Sequence, residues 1–269
     1  MNFYICYSTL QFSFDKIYYF KMKYVFITGT SRGLGKGLAK AFLEEHNVIG
    51  LARSESSLLK EFPAKYEHIY FNLEYLSKIE PTLEDFFERK RQQYPIEIHY
   101  VILNSGILGE IKDIQDTSLE EIQRVMNINL WANKIILDTI FRLEKKRIIQ
   151  GPSKILAISS GASISGNRGW NAYALSKASL NMLIKLYASE VPNKQFISLA
   201  PGLVHTEMQD LILQKNIDLE KYPSFKRLID ARGTELMPGP DEVGLKIYQM
   251  LNKIFSFESG SYVDIRKLT

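Results

Sequence analysis

Tyr173 and Lys177 stand four residues apart in the run Tyr173-Ala174-Leu175-Ser176-Lys177. On a helix that spacing puts both side chains on one face, one above the other. A phenol titrates near pH ~10 and is a poor acid–base group at neutrality. A neighbouring ammonium favours the phenolate and lowers that value. The pair therefore suits proton exchange with a carbonyl or an alcohol. A plain helix with one half-buried tyrosine and one solvated lysine would show the same two residues, so the rest of the chain has to decide.

A second chemical signal lies near the start. The apolar run Tyr24-Val25-Phe26-Ile27 leads into Thr28-Gly29-Thr30-Ser31-Arg32-Gly33-Leu34-Gly35. Leu38, Ala39, Phe42 and Leu43 then recur at helical spacing. Strand, glycine turn and helix make the first unit of a dinucleotide-binding fold. Such glycines let the backbone approach a pyrophosphate, which rests on the free N–H groups and dipole of the helix N-terminus. A second strand, Asn47 to Ala52, ends at Arg53, where an acid would hold a ribose 2′-hydroxyl. With no acid there, Arg53 and Arg32 are expected to converge on a 2′-phosphate, which guanidinium groups match bidentately. The cofactor expected is NADP(H); the plainer alternative is that Arg53 caps an exposed strand end.

The elements that must position these groups alternate along the chain. Further strands are expected at Ile69–Phe71, Ile98–Leu103, Lys154–Ile158, Phe196–Ala200 and Gly260–Ile265, each an apolar run ending in a turn. Helices are expected over 82–93 after Pro81, within 119–146, from Tyr173 onward, and over 244–255. Residues 207–239 carry Pro223, Gly233, Pro238 and Gly239 and read as an insertion with two short helices over a pocket. Alternation of this kind predicts an α/β chain: a single Rossmann-like, doubly wound domain over 22–269, its seven-stranded parallel sheet covered on both faces. Ligands then bind at the carboxyl ends of the strands, where Gly29, Asn104, Ser160 and Pro201 all fall.

Composition excludes several other classes. Hydrophobic content of 45% and charged content of 24% over 269 residues supply a full globular core. The net charge of +4 is spread out. Its densest runs, Arg89-Lys90-Arg91 and Lys145-Lys146-Arg147, read as solvated helix ends, so no nucleic-acid partner is expected. The lone Cys6 rules out an internal disulfide, and the four histidines lack ligand spacing. No metal and a reducing, cytoplasmic compartment are expected. Residues 1–21 have no basic start, no continuous apolar run and no cleavage site, so neither a signal peptide nor a membrane span is expected. They read as an extension upstream of a natural start at Met22, or else as a genuine N-terminal arm.

Taken jointly, the glycine turn, Asn104-Ser105-Gly106, Asn129, Ser160, Tyr173, Lys177 and Pro201-Gly202-Leu203-Val204-His205-Thr206 resemble the classical short-chain dehydrogenases/reductases over residues 23 to 265. Gly169-Trp170 and the ending Ser259-Gly260-Ser261-Tyr262-Val263-Asp264 are most similar to the sepiapterin and benzil reductase branch. Two departures stand out. Asn72 replaces the family's usual adenine-contacting Asp, and Leu103-Asn104-Ser105-Gly106 replaces Asn-Asn-Ala-Gly.

The resemblance implies hydride transfer between NADP(H) and a ketone or diketone, aromatic or pterin-like. It implies that Tyr173 donates the proton, Lys177 lowers the tyrosine's pKa and binds the nicotinamide ribose, Ser160 holds the carbonyl oxygen, and Asn129 holds a water linking Lys177 to solvent. Gly29, Thr30, Ser31, Arg32, Gly33, Leu34, Gly35, Arg53, Asn72, Leu73, Asn104, Ser105 and Gly106 would hold the cofactor. Pro201, Gly202, Val204 and Thr206 would clamp its nicotinamide. Trp170 and the segment from Met208 to Met237 would shape an apolar pocket, and Asp264 would anchor a pterin ring or else be a solvated carboxylate. A homodimer or tetramer is implied through the helices of Asn129 and Tyr173. Leu180, Leu183, Ile184 and Leu186 fit that contact or core packing equally well. A silent NADP(H) sensor on the same fold and an NAD-dependent alcohol or steroid dehydrogenase are the rival readings. The intact Asn129, Ser160, Tyr173 and Lys177 argue against the first, and Arg32 and Arg53 against the second.

Overall fold

Strand β1 (Met22–Thr28) is buried on both faces. Tyr24 and Phe26 point to one face of the sheet and Val25 and Ile27 to the other, as strand alternation requires. The computed structural model describes residues 22–92, 95–213 and 217–268; the expectation for residues 1–21 lies outside them. The strands β2 (Asn47–Ala52), β3 (Tyr66–Tyr70), β4 (Ile96–Leu103), β5 (Lys154–Ile158), β6 (Gln195–Ala200) and β7 (Tyr262–Asp264) join β1 in one parallel sheet. The order is β3-β2-β1-β4-β5-β6-β7. The chain thus runs outward from β1 to β3 and restarts at β4 on the other side. The crevice between β1 and β4 is the switch point where such sheets bind ligands.

Helices cover both faces. The first elements are α1 (Gly33–Phe42), α2 (Leu58–Glu61), α3 (Leu76–Arg91), α4 (Leu119–Met126) and α5 (Ala132–Lys145). They are followed by α6 (Ala162–Ser165), α7 (Asn171–Glu190), α8 (Glu207–Leu213), α9 (Pro223–Ala231), α10 (Pro240–Gln249) and α11 (Leu251–Ile254). One core layer joins α3, α5 and α7 to the sheet through Phe87, Ile136 and Ile184. The other joins α1, α10 and α11 through Phe42, Ile247 and Ile254. A third cluster of Ile212, Tyr222, Phe225, Leu228 and Met237 forms the cover expected over 207–239.

Among the boundaries that differ from the sequence reading, two share one reason. Helix α3 starts at Leu76, ahead of Pro81, because Ile79, Leu83 and Phe87 form one fully buried stripe. That burial outweighs the single backbone bond the proline removes. Strand β3 starts at Tyr66, three residues early, because the buried Tyr66 ring packs into the α1 layer and its hydroxyl pairs with Thr30 (2.7 Å). The long helix expected within 119–146 is divided by a π-turn at Asn127–Trp131. Such turns recur at functional sites, and this one carries Asn129.

Candidate active site

The carboxyl ends of β1, β2, β4, β5 and β6 open into one cavity of about 680 Å³. Its floor at the β1 end is the glycine turn. Gly29 has φ +78°, open to glycine at little cost. A Cβ on Gly35 would lie 2.1 Å from the Gly29 carbonyl oxygen. Helix α1 therefore starts as close to the turn as a backbone can, and its first residues Gly33, Leu34 and Gly35 line the cavity. This cradle fits a pyrophosphate. Thr28 and Asn104 hold the turn to β4: Asn104 N and Ser105 N donate to Thr28 Oγ1 (2.9 and 3.0 Å), and Asn104 Nδ2 donates to Thr28 O (3.0 Å).

Most of the expected cofactor residues line the cavity: Gly29, Ser31, Arg32, Gly33, Leu34, Gly35, Arg53, Asn72, Leu73, Asn104, Ser105, Gly106, Pro201, Gly202, Val204 and Thr206. Thr30 does not. It is fully buried, its hydroxyl bonded to Tyr66 and its carbonyl accepting from Ser56 Oγ (3.0 Å). It braces the turn from behind rather than touching a ligand. Arg32 and Arg53, expected to converge on a 2′-phosphate, line the same cavity. Arg32 forms an ion pair with Glu207 of α8, which ties the cover to the glycine turn. Nearby, Glu74 accepts from Asn72 Nδ2 (3.2 Å) and pairs with Arg124 (3.0 Å), and these, with a smaller contribution from the Arg53 charge, hold its carboxyl below the usual range. The sequence reading missed Arg124.

At the β5 end stand Ser160, Tyr173 and Lys177, all facing the cavity. Lys177 is buried and donates to the Ile158 carbonyl (2.7 Å). Burial pushes its pKa down to about 8. Its Nζ sits 5.8 Å from the centroid of the Tyr173 ring. Burial holds the Tyr173 phenol above its usual range, and a hydrogen bond with Ser160 offsets part of that. The lysine's charge goes to a carbonyl instead of the phenol oxygen, and both groups are desolvated. At neutral pH the pair is thus a protonated phenol beside an ammonium.

The Ser160 loop is fixed from two sides. Ser160 Oγ accepts from Ala162 N (3.1 Å), and Ser159 Oγ donates to Asn181 Oδ1 of α7 (2.6 Å). Asn129 is buried and lies outside the cavity lining, with its side chain fully engaged. It donates to Ile107 O and Ser176 Oγ (2.9 Å each) and accepts from Ile107 N (2.8 Å). It therefore stitches the loop after β4 to α7. Its main-chain carbonyl accepts from Asn133 Nδ2 (2.8 Å). Asn133 is buried as well, and its Oδ1 has no hydrogen-bond partner among the described residues.

Over the β5 end lies the apolar cover. Trp170 stacks on Phe225 (4.7 Å, 8°) and contacts Tyr173 (5.8 Å); its indole donates to Ser224 (2.9 Å). Trp170 and Met208 line the cavity as expected, whereas Met237 packs inside the cover. Asp264 does not line it. Its carboxylate is taken bidentately by Arg266 (3.0 and 2.6 Å), so the expected pterin anchor is already occupied. Arg266 is the residue of this strand end that reaches the cavity. Among the described residues there is no cluster of His, Cys, Asp or Glu able to hold a metal, and no helix long and apolar enough to cross a membrane.

The short-chain dehydrogenase family model matches residues 23–216, which contain the glycine cradle, the serine loop, the tyrosine and the lysine. The chain is a short-chain dehydrogenase/reductase. It is an oxidoreductase of a family that works with a nicotinamide cofactor, and the cradle fits one. A benzil reductase ((S)-benzoin forming) of Bacillus cereus is 29% identical over 86% of this chain and 94% of its own. A sepiapterin reductase of Bos taurus is 24% identical over 88% and 92%. The crystal structure of the KRED1-Pglu enzyme superposes with a TM-score of 0.76 at 25% identity, over 90% of this chain and 100% of that one. The chain belongs to the benzil and sepiapterin reductase branch of the family.

Proposed function

We propose that this oxidoreductase reduces a ketone or diketone to an alcohol with NADP(H), Tyr173 supplying the proton. The observation that carries the reading is the placement of Ser160, Tyr173 and Lys177 at one end of the cavity whose other end is the glycine cradle. When bound, the nicotinamide supplies hydride to the carbonyl carbon. The carbonyl oxygen becomes negative in the transition state and needs donors already in place. Ser160 and Tyr173 are those donors. Lys177 returns the proton to Tyr173. A buried water held between Asn133 Oδ1 and the Asn129 carbonyl would resupply Lys177 from solvent. The stacked Trp170 and Phe225 favour an aromatic or pterin-like substrate over a sugar. The test is NADPH consumption by the purified protein with benzil, a phenyl diketone, sepiapterin and a simple aldehyde. No turnover of any of them, with NADPH still binding, would favour the silent sensor.

The choice of NADP(H) rests on Arg53 and Arg124, which line the cavity together, with Glu74 the carboxylate that Arg124 pairs with. Replacing Arg53 by alanine is expected to cost about 10-fold or more in kcat/KM with NADPH, the worth of a charge-assisted bond. It should leave NADH nearly unaffected. A wild-type enzyme that uses NADH as well as NADPH would sink the assignment.

The chain is also proposed to be a homodimer. Leu175, Met182 and Leu186 make an exposed apolar stripe on α7, while Leu180 and Ile184 belong to the core. Of the four residues expected to serve either role, only Leu186 is thus well exposed. The double substitution of Met182 and Leu186 by glutamate is expected to shift gel filtration from dimer to monomer size. A wild-type profile at monomer size would refute the dimer.

A further inference from the structure

Arg266 occupies a place that the reaction so far leaves unexplained. Its stem packs on the turn after β6: a Cβ on Gly202, which has φ +79°, would lie 3.3 Å from Arg266 Cγ and Cδ. Its Nη2 lies 3.8 Å from where a Cβ on Gly161 would stand, and Gly161 follows Ser160. The strand end is docked there too, since Tyr262 OH donates to the Ser160 carbonyl (3.4 Å). The guanidinium is thus a cavity-lining donor beside the serine that would hold the reacting oxygen.

Asp264 fixes it. Only 9% of the Asp264 side chain is exposed, and it accepts from Nε and Nη2 as well as from Arg266 N (3.0 Å). A guanidinium has five N–H donors. Two go to Asp264, which leaves three free, at a known angle. The pair is electrically neutral, so it suits a neutral acceptor such as a carbonyl oxygen better than an anion. A vicinal dicarbonyl free in solution prefers its two oxygens on opposite sides. Held with both on one side, its second oxygen lies beside the first, and a donor beside Ser160 would hold it so.

We propose that Arg266, positioned by Asp264, receives the second oxygen of a vicinal dicarbonyl substrate whose first oxygen lies on Ser160 and Tyr173. This rests on the carbonyl reductase reading and adds to it the residue that reads the second oxygen. Arg266 selects the diketone over a monoketone of the same size. The Arg266 side chain is 59% exposed, so a monoketone leaves its donors to water and forgoes the contact.

The experiment titrates the protein saturated with NADP⁺, which cannot reduce the ligand, by calorimetry. The probes are 1-phenyl-1,2-propanedione and propiophenone, which differ by one carbonyl. The wild type is expected to bind the dione about tenfold tighter, the worth of one hydrogen bond to a charged group. In Arg266→Met that ratio falls to about one through loss of dione affinity, and Asp264→Asn lowers it part-way. A ratio unchanged in Arg266→Met overturns the proposal, as does a wild-type ratio near one. Weakened NADP⁺ binding in Arg266→Met with the ratio intact would assign the arginine to the cofactor instead. The same samples are assayed with NADPH. Failure of the wild type to oxidise NADPH with either ketone would overturn the reductase reading, while the binding ratio still judges Arg266.

Discussion

Replacing Tyr173 by phenylalanine is expected to lower kcat/KM for carbonyl reduction by about 10²–10⁴-fold, the usual contribution of a positioned proton donor. Cofactor affinity should fall by no more than about tenfold, since one neutral hydrogen bond at most is lost. Burial favours the protonated phenol, which is the form that gives a proton to a developing alkoxide. Lys177 adds a pH signature. Its pKa near 8 means that it is charged below that value and loses its proton as pH rises through it. Reduction needs the protonated form, so kcat/KM should be level below about pH 7 and fall through pH 8 with a one-proton slope. Lys177→Arg should remove that limb from the accessible range. A Tyr173→Phe enzyme with near wild-type activity would show that the proton comes from elsewhere. A flat profile through pH 8 would show that Lys177 does not supply it.

The local part of this site was legible in the chain, and the long-range part was not. Gly29, Gly33 and Gly35, or Tyr173 and Lys177, lie within one turn of each other, so residue type and spacing already fix their geometry. Each strand of the sheet was legible as an apolar run ending in a turn. What spacing could not decide were choices among distant partners. The tertiary approach of α8 gives Arg32 the partner Glu207, 175 positions away. Thr30 sits in the glycine turn yet faces inward, because Tyr66 of β3 offers its hydroxyl a buried partner. Asp264 was legible as a strand-end acid. An arginine two residues later was the available sign that it would be neutralised, and that arginine, not the acid, faces the cavity. Asn129 falls inside the helix expected within 119–146. Its π-turn and its bonds to Ile107 and Ser176 depend on a loop and a helix that spacing alone cannot place.

Helix α1 meets α10 backbone against backbone, and Gly37→Ala is expected to destabilise the protein by about 2 kcal/mol. A Cβ on Gly37 would lie 2.1 Å from the Pro240 carbonyl oxygen and 2.6 Å from its carbon. A Cβ on Gly244 would lie 2.4 Å from the Gly37 carbonyl carbon. All of these neighbours are main-chain atoms, so no side chain can swing aside and the helices themselves must separate. Alanine would gain about 1 kcal/mol in helix propensity at either position, and the overpacking has to exceed that. At about 2–4 °C per kcal/mol for a chain of this size, the melting temperature should fall by roughly 4–8 °C. Gly244→Ala should do the same, and the double variant should cost less than the sum, because one separation makes room for both methyls. Gly239→Ala is the control: nothing lies within 4 Å of its Cβ position and its φ is −69°, so its effect should stay within about 1 kcal/mol. The consequence reaches the site, because α1 is the helix whose first turn forms the cofactor cradle. Gly37→Ala should therefore weaken NADPH binding while the Tyr173 and Lys177 pH profile keeps its shape. An unchanged melting temperature in Gly37→Ala would show that the two helices do not cross this closely.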